Sequence, residues 1–478
     1  MESIWTESTS YTPHDALHAD LQTDAVVIGG GMAGILTAYL LGKSGIHTVV
    51  LEARRAESGQ TSGTTAKITS QHGLILSRLH DNFGANIMQK YTAANEAAIH
   101  AFSQMIQTEH IDCDFETRPA CLYTKRAPEI LKREQSLAEA CGIHASFHAD
   151  SELPFSVAGV LQYENQASFH PLKFLRALEG RLELYENTRV LSVENHIIQT
   201  EQAKVRAKYI IFTCHYPFVN VPGFYFARMH QERSYVLALE QAAALQGMYY
   251  GIDPDGYSFR PAGGYLLMGG GNHRAGEHDA GSSYQDLRTA AERFFPGATV
   301  ARQWSAQDCM TPDGIPYIGR FAASTPNWYV ATGFGKWGMT GSMVAAQLIS
   351  DLIHSSENPY AHVFDPGRFT VTESARAVAA EMAHAVRGLT KGAFHIPKKT
   401  LDSLPMGHGG IIELDGQKVG VYRDEQGEVY AVSARCPHLG CELAWNPDEK
   451  SWDCPCHGSR FDYRGNLLDN PAQTGIQL

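Results

Sequence analysis

The sequence predicts a mixed α/β protein of two lobes, followed by a small all-β module at its C-terminus. Three observations lead to this fold class. A buried strand, a glycine-rich turn, a helix and a second strand follow one another over residues 21–51. Alternating strand-like runs dominate residues 145–302, which excludes an all-α fold. Short strands separated by turns, together with clustered cysteines, occupy the end of the chain.

The composition is that of a globular protein and narrows the classes of function. The 478 residues are 44% hydrophobic and 19% charged, which excludes disorder as the main state. The net charge of −12 argues against a binder of nucleic acid or anionic membranes. No apolar run approaches the roughly 20 residues that span a bilayer, and residues 1–20 lack the features of a secretory signal. We therefore expect a cytoplasmic protein without a membrane span.

The first element is a strand–helix–strand unit with a dinucleotide-binding pattern. Residues 29–34 fit G-x-G-x-x-G between a strand rich in Val and Ile and a helix. Gly29 allows the tight turn, Gly31 lets a pyrophosphate approach the backbone, and Gly34 lets the helix pack closely on the strand. Glu52 ends the second strand, where a carboxylate accepts hydrogen bonds from ribose hydroxyls. A purely structural turn is the alternative, but the surrounding elements favour a dinucleotide site.

A second glycine-rich segment lies between a predicted strand at 327–332 and a predicted helix at 343–353. Residues 333–338 also fit G-x-G-x-x-G, and taken literally they would form a second dinucleotide site. No strand with a terminal acidic residue follows that helix, so we prefer another interpretation. We expect the helix N-terminus to face the electron-rich end of a flavin ring, where amides and the helix dipole stabilise the reduced, anionic flavin. The first site is therefore assigned to FAD.

The segments described so far resemble the FAD-dependent oxidoreductases of the D-amino-acid oxidase superfamily, over about residues 24–353. The matching pieces are VVIGGGMAGI, VVLEA, residues 61–65, residues 312–319 and ATGFGKWGMT. The resemblance implies a two-lobed FAD-binding fold of the D-amino-acid oxidase and glutathione reductase type. It also implies that residues of two segments contact the flavin: Ser62, Gly63, Thr64, Thr65 and Lys67, and then Gly335, Gly338, Met339 and Thr340. The polar segment departs from the Ser-Gly-Arg-Asn-Gly-Gly pattern of the amino-acid oxidases, so the resemblance implies no particular substrate.

The C-terminal module has two loops that each supply one cysteine and one histidine. Cys436 and His438 form a C-x-H pattern, and Cys454 and His457 form a C-x-x-H pattern after an interval of fifteen residues. Two cysteines and two histidines also suit zinc, but zinc fingers group their cysteines together and their histidines together. One of each per loop suits a [2Fe–2S] cluster, in which one iron takes both thiolates and the other takes both imidazoles.

The module resembles Rieske proteins closely, over residues 401–478. The resemblance implies that the four Cys and His residues of the two loops ligate the cluster. It also implies a disulfide between Cys441 and Cys456, a bond that persists in a cytoplasmic chain when it is buried. Ser459 matches the serine that hydrogen-bonds the cluster in high-potential members, whereas Phe461 stands where those members have a tyrosine.

The predicted organisation has three parts, with the linker marked by an Ala-rich, helix-like stretch. In chain order they are the FAD-dependent oxidoreductase, the helical linker and the Rieske domain, at residues 1–365, 366–400 and 401–478. Within the first part, we expect the FAD-binding lobe at about residues 21–115 and 300–365, with interleaved middle segments. The substrate lobe is expected mostly within residues 116–300.

Four residues are candidates for a catalytic role, and none has a firm assignment. Lys67 and His72 follow the polar flavin segment, where either side chain could face a substrate. Arg260 lies in the β-rich middle of the chain, where an arginine could clamp a carboxylate with two hydrogen bonds. Lys336 stands in the turn that is expected to cover the flavin. A packing or surface position is the alternative for each of the four.

The two predicted sites together imply an exchange between two-electron and one-electron chemistry, because a flavin takes a hydride and a [2Fe–2S] cluster takes single electrons. We expect an FAD-dependent enzyme, similar to amine and amino-acid dehydrogenases, that oxidises a small amine-like substrate. Its electrons would pass through the cluster to an external acceptor protein, or arrive from an external donor. Two alternatives stay open: an O2-using amine oxidase with a structural or regulatory module, and a redox carrier without its own small-molecule substrate. A Rieske oxygenase is disfavoured, because no pair of histidines with a carboxylate for mononuclear iron stands out before residue 365.

The replacement of tyrosine by Phe461 gives a prediction about the cluster's redox potential. A phenyl ring cannot donate a hydrogen bond to a ligand sulfur, and fewer donors stabilise the reduced state less. We expect a midpoint potential inside the Rieske span of roughly −150 to +300 mV but below its upper end. A redox titration followed by electron paramagnetic resonance measures this potential, and a value at the upper limit would contradict the prediction.

Overall fold

The computed structural model contains two large sheets and a C-terminal module with two small sheets. It describes residues 2–56, 58–277, 281–368, 383, 401–414 and 416–478. The predicted helical linker, residues 366–400, lies almost entirely outside the described residues. Mixed α/β architecture with a separate all-β module confirms the predicted fold class.

The first sheet has the predicted strand–helix–strand unit at its centre. The strand Leu21–Ile28 pairs in parallel with Thr48–Leu51 on one side and with Lys204–Phe212 on the other. Its last four residues are all buried, as expected of a parallel strand covered on both faces. Six strands follow in the order Tyr317–Arg320, Trp328–Thr332, Lys204–Phe212, Leu21–Ile28, Thr48–Leu51 and Glu183–Tyr185, and Ile197–Thr200 and Val190–Glu194 extend the sheet beside Lys204–Phe212.

Two glycines bring the helix Met32–Lys43 close against the turn that precedes it. A Cβ atom at Gly34 would lie 1.9 Å from the carbonyl oxygen of Gly29. Gly29 has a φ of +113°, and a Cβ atom there would meet the carbonyl oxygen of Thr213 at 2.8 Å. The helix N-terminus therefore reaches the carboxyl ends of the parallel strands, where nucleotides bind in such sheets.

The second sheet is mostly antiparallel and forms the other lobe. Its longest pairing joins His230–Glu240 to Thr299–Met310, so this sheet continues to Met310. Eight strands follow in the order Thr299–Met310, His230–Glu240, Tyr265–Arg274, Ser258–Ala262, Met248–Gly251, Glu116–Thr124, Gly159–Ser168 and Lys67–Ile68, and Ala145–His148 pairs with Gly159–Ser168. Since Lys204–Phe212 belongs to the first sheet, the middle of the chain contributes to both lobes.

Helices cover the sheets and connect their strands. The α-helices are Ile4–Glu7, Met32–Lys43, Gln60–Gly63, Ile75–Thr108, Pro128–Ala140, Pro171–Glu179, Ser283–Phe294, Gly338–Ile353 and Ala361–Phe364, and short 3₁₀ helices lie at Tyr225–Ala227 and Leu401–Ser403. The long helix Ile75–Thr108 is kinked at Gly84, whose φ of +79° lies outside the helical region. Among the described residues, no helix is both long and apolar enough to cross a lipid bilayer.

The C-terminal module consists of two antiparallel sheets around an aromatic core. Its strands are His408–Leu414, Gln417–Arg423 and Val429–Ser433 in one sheet, and Ala444–Asn446, Ser451–Asp453, Arg460–Asp462 and Leu467–Asp469 in the other. Trp452 and Phe461 are fully buried between them. A disulfide joins Cys441 to Cys456, which confirms the predicted pairing of the two loops.

The contact at Gly34 predicts the result of a single substitution. Gly34→Ala forces a methyl group into the Gly29 carbonyl, which costs roughly 1–3 kcal/mol or more and displaces the helix N-terminus. We expect a lower melting temperature and a lower content of bound flavin, measured by calorimetry and by flavin absorbance after heat release.

Gly42→Ala is the matched control on the same helix. Nothing lies within 4 Å of a Cβ atom at Gly42, so this change should stabilise the helix by about 1 kcal/mol and leave flavin content unchanged. A Gly34→Ala protein as stable and as rich in flavin as the wild type would contradict the geometry of this turn.

Candidate cofactor sites

A cavity opens at the carboxyl ends of the parallel strands, beside the first glycine-rich turn. Gly29, Gly31 and Glu52 line this first cavity, and Gly34 packs behind them against the strand. The carboxylate of Glu52 accepts hydrogen bonds from the backbone N–H of Gly30 at 2.8 Å and of Arg54 at 2.9 Å. Each carboxylate oxygen has further acceptor capacity, so Glu52 is fixed in place and can still accept from hydroxyls in the cavity.

The second glycine-rich segment forms the opposite wall of the first cavity. Gly335, Gly338 and Met339 line it, and the helix Gly338–Ile353 begins there. The positive end of the helix dipole therefore borders the cavity, as needed to stabilise a reduced flavin ring. Thr340 is buried behind this wall, where its hydroxyl donates to the backbone carbonyl of Thr69 at 3.0 Å.

The polar segment after the second strand separates the first cavity from a smaller second cavity. Thr64 lines both cavities, whereas Gly63, Thr65 and Lys67 line the second. Ser62 lines neither cavity, and its hydroxyl donates to the backbone carbonyl of Gly59 at 2.9 Å. This segment therefore lies where the first cavity meets the second, between the nucleotide side and the second sheet.

Arg260 is one of the four catalytic candidates, and the structure places it behind the polar segment. Its guanidinium donates to the backbone carbonyls of Thr65 at 2.8 Å and of Phe169 at 2.9 Å. The side chain lines neither cavity, and burial lowers its pKa to about 9. Arg260 thus holds the backbone of the polar segment in place, with Trp5 donating to the carbonyl of Thr64 at 2.7 Å beside it.

His72 is also buried away from both cavities. Its Nε2–H donates to the carbonyl of Thr69 at 2.7 Å, and its Nδ1 accepts from the hydroxyl of Tyr91 at 2.7 Å. Burial lowers the pKa of His72 to about 3, so the ring is neutral. The imidazole stacks on Trp337 with 4.8 Å between ring centroids, and it thereby supports an indole that lines the second cavity.

The two lysine candidates both line the second cavity but differ in charge. Lys67 donates to the carbonyl of Tyr249 at 2.9 Å, and burial, with Arg260 nearby, lowers its pKa to about 7. Lys336 lies 3.0 Å from Asp308 and 3.2 Å from Glu232. Burial alone would lower the pKa of Lys336, but these two carboxylates raise it above its usual value. Lys336 is therefore a charged group that is already neutralised by its neighbours.

Asp308 and Glu232 are site residues that sequence analysis missed. Asp308 lines both cavities, and a hydrogen bond from His230 together with Lys336 lowers the pKa of Glu232 to about 2. The two acids are paired across neighbouring strands, since Glu232 stands opposite Asp308 in the sheet register. Only that register brings them together, and no local pattern in the sequence reveals it.

Cys214 and His215 were also missed, and both line the first cavity. They follow the strand Lys204–Phe212, which runs parallel to the first strand. A parallel neighbour delivers the loop at its carboxyl end to the same edge of the sheet, which is the signal that could have found them. Burial raises the pKa of the Cys214 thiol to about 12, so it stays protonated.

The four predicted cluster ligands converge at the tips of the two module loops. The imidazole rings of His438 and His457 have centroids 4.9 Å apart, and Cys436 and Cys454 are both buried in the core of the module. Within the described part of the chain, Nδ1 of His438 is buried with no hydrogen-bond partner, while its Nε2–H donates to Asn220 at 2.8 Å. That ring is thus in the tautomer that offers Nδ1 to iron, so the residues fit a [2Fe–2S] cluster.

The residues around these side chains are consistent with the same four ligands. The sulfur atoms of Cys441, Cys454 and Cys456 also lie within 4.8 Å of one another, but the disulfide removes two of them as metal ligands. Ser459 is fully buried in the module, and its hydroxyl accepts from the backbone N–H of Ala472 at 3.0 Å. Phe461 is buried in the module core and offers no donor.

The module packs directly on the first cavity. Its residues 467–470 form part of the cavity wall. Arg54 donates to the carbonyl of Leu468 at 2.7 Å, and Asn470 donates to the carbonyls of Cys214 at 2.8 Å and Tyr216 at 2.6 Å. The predicted flavin site and the predicted cluster site are therefore parts of one continuous structure.

Two family models match the chain, one over each part. A model described as FAD dependent oxidoreductase matches residues 24–352, and a model described as Rieske [2Fe-2S] domain matches residues 397–478. The first covers more than half of the chain, and both resemblances expected from the sequence are confirmed.

Similar proteins share one or both parts. YhfW, a Rieske 2Fe-2S iron–sulfur protein of Bacillus subtilis (strain 168), is 36% identical over 98% of this chain and 96% of its own length. Gamma-glutamylputrescine oxidoreductase of Escherichia coli (strain K12) is 22% identical over 72% of this chain and 87% of its own length. The crystal structure of glycine oxidase from Geobacillus kaustophilus shares the fold, with a TM-score of 0.63 and 18% identity over 73% of this chain and 100% of that one. The chain belongs to the FAD-dependent oxidoreductase family and ends in a Rieske domain, so its cofactors are FAD and a [2Fe–2S] cluster.

Proposed function

We propose that this protein oxidises a small amine or amino-acid-like substrate and delivers the electrons, one at a time, to an external acceptor protein. The observation that carries the proposal is the shared wall of the first cavity. Residues of the FAD-binding lobe and residues 467–470 of the Rieske domain line the same cavity. Such an arrangement suits direct passage of electrons between the two cofactor sites. The cytoplasm, expected from the sequence, stays the proposed location.

The proposed reaction balances with two equivalents of a one-electron acceptor. Bound FAD supplies a two-electron hydride acceptor, and a bound [2Fe–2S] cluster supplies single-electron exchange. The substrate amine loses a hydride and a proton, its C–N single bond becomes an imine, and water hydrolyses the imine. The two electrons reduce two molecules of the external acceptor, and the protons pass to solvent.

The second cavity is the proposed substrate pocket, and its charges favour an amine without a carboxylate. No arginine lines it among the described residues, and Arg260 is engaged by backbone carbonyls. Lys336 is neutralised by Asp308 and Glu232. The other lysine of the pocket, Lys67, donates to the carbonyl of Tyr249, and burial lowers its pKa to about 7, so it is a weak partner for a carboxylate. The E. coli relative named above carries in its name γ-glutamylputrescine, a compound with a primary amine, which supports an amine substrate in general.

Two aromatic rings strengthen the preference for a cationic substrate. Trp337 and Tyr250 both line the second cavity, and their rings meet edge to face with centroids 5.5 Å apart. An alkylammonium group placed over such rings is attracted by roughly 0.5–2 kcal/mol. The pocket thus combines a carboxylate and aromatic faces, the two kinds of group that bind organic cations.

Matched substrate pairs test the preference in the holoenzyme under anaerobic conditions. We expect an amine such as N-methylbenzylamine to bleach the flavin faster than the corresponding N-methyl amino acid, because the pocket has no arginine for the added carboxylate. Flavin absorbance measures the first step, and the electron paramagnetic resonance signal of the reduced cluster measures the second. Faster bleaching by the amino acid would contradict the preference for an amine without a carboxylate.

The same experiment separates the two alternative functions. Peroxide formed in air at the rate of substrate loss, with a silent cluster, would support an O2-using oxidase. Failure of every amine and hydroxy acid to bleach the flavin, with clean reduction by a carrier protein, would support a redox carrier.

Asp308→Asn tests the role of the carboxylate in the pocket. Removing its charge should raise KM for an amine roughly 10-fold, because a hydrogen bond to a charged group contributes about 1.5 kcal/mol. Asp286→Asn is the control. Asp286 is an exposed helix residue that lines neither cavity, so this change should leave KM unchanged. Steady-state kinetics measures both variants, and an unchanged KM in Asp308→Asn would remove this residue from substrate binding.

A further inference from the structure

A set of buried amide side chains connects the first cavity to the second cluster loop. His215 and Gln307 line the cavity, and Gln231 lies between them and the Rieske domain. Gln231 and Gln307 are each only 1% exposed. No part of the proposed substrate chemistry uses either glutamine.

The Gln231 amide uses all four of its hydrogen-bonding positions. Its Nε2 donates to the backbone carbonyls of His457 at 2.7 Å and of Asn470 at 3.1 Å. Its Oε1 accepts from Nε2 of His215 at 3.0 Å and from Nε2 of Gln307 at 2.6 Å. An amide with two N–H donors and one two-lone-pair oxygen has no capacity left, so its orientation is fully determined.

Gln307 makes a second connection of the same kind. Its Nε2 donates to Gln231 and also to the backbone carbonyl of Gly458 at 2.7 Å, next to the ligand His457. The loop approaches so closely that a Cβ atom at Gly458 would lie 2.6 Å from Cβ of Gln231. Both glutamines therefore touch the cavity side of the protein and the main chain of the cluster loop.

Buried charges hold the Rieske domain in this position. Arg233, on the same strand as Gln231, lies 3.1 Å from Glu449 of the Rieske domain. Burial would raise the pKa of Glu449, but Arg233 and Arg460 lower it below its usual value, so the carboxylate is ionised. Breaking such a pair would leave a buried charge uncompensated, which is costly. The Rieske domain is thus held against the second sheet.

We propose that Gln231 and Gln307 are positioning residues that set the rate of electron passage between the two cofactor sites. They supply hydrogen-bonded routes from the cavity to the main chain of His457 and Gly458. One electron crosses at a time: the flavin site is oxidised by one electron, one cluster iron goes from Fe(III) to Fe(II), and the external acceptor protein reoxidises it. This inference rests on the proposed function, because it requires electrons to cross between the sites.

The test uses the variants Gln231→Met and Gln307→Met in the holoenzyme. Methionine keeps the length of the side chain but forms none of these hydrogen bonds. A light flash with a sacrificial donor reduces the flavin without any substrate, and freeze-quench electron paramagnetic resonance follows reduction of the cluster. We expect the rate of cluster reduction to fall roughly 10-fold or more in each variant, as is typical when a partner outside the ligand set is removed.

The midpoint potential of the cluster is the second readout, because a general structural change would shift it. Both amides bond to backbone carbonyls of the loop and to no ligand side chain, so the cluster potential and its spectrum should match the wild type. Gln303→Met is the control, because Gln303 lies on the same strand as Gln307 and accepts a hydrogen bond from Arg288 of the helix Ser283–Phe294.

The outcomes separate this inference from the proposed function. A wild-type protein in which the flash never reduces the cluster would overturn both. Transfer in the wild type, with wild-type rates in both variants, would overturn this inference alone. A slower rate that accompanies a displaced potential or an equal loss in Gln303→Met would also overturn it, since the effect would then be general.

Discussion

The close contact between the helix Met32–Lys43 and the turn at Gly29 determines where the other functional parts lie. Because Gly34 has no side chain, the helix N-terminus reaches the carboxyl edge of the parallel sheet. The strand Lys204–Phe212 ends at the same edge and delivers Cys214 and His215 to the cavity. The Rieske domain then bonds to the carbonyl of Cys214 and closes the cavity wall. The helix N-terminus and the Rieske domain therefore meet at one edge of the parallel sheet.

The interface between the domains is polar, and its buried charges are paired. Arg233, Glu449 and Arg460 are nearly buried, and their charges are compensated by each other and by Asp453 and Asp469. Buried ion pairs add little net stability compared with apolar packing, but they penalise any arrangement that separates the partners. The interface thus selects one position of the Rieske domain instead of simply holding it tightly.

Much of the fold and of the cluster site could be predicted from the sequence, because their signals are local. The glycine pattern at 29–34 and the four Cys and His ligands each occupy a few consecutive residues with a known geometric reason. The surroundings of Lys336 could not be predicted, since Asp308 and Glu232 meet it through strand register. The structural roles of Arg260 and His72 could not be predicted either, because they depend on burial and on hydrogen bonds to backbone carbonyls.

The wall of the first cavity has a consequence for how the protein matures. Arg54, within the first strand–helix–strand unit, bonds a carbonyl that lies 414 residues further along the chain. The ribosome therefore makes this wall of the nucleotide site long after the turn that contains Arg54. A nascent chain lacking residues 467–470 leaves that side of the cavity open, and docking of the domain then closes it. Docking of the iron–sulfur domain thus completes a nucleotide site whose other walls are synthesised much earlier.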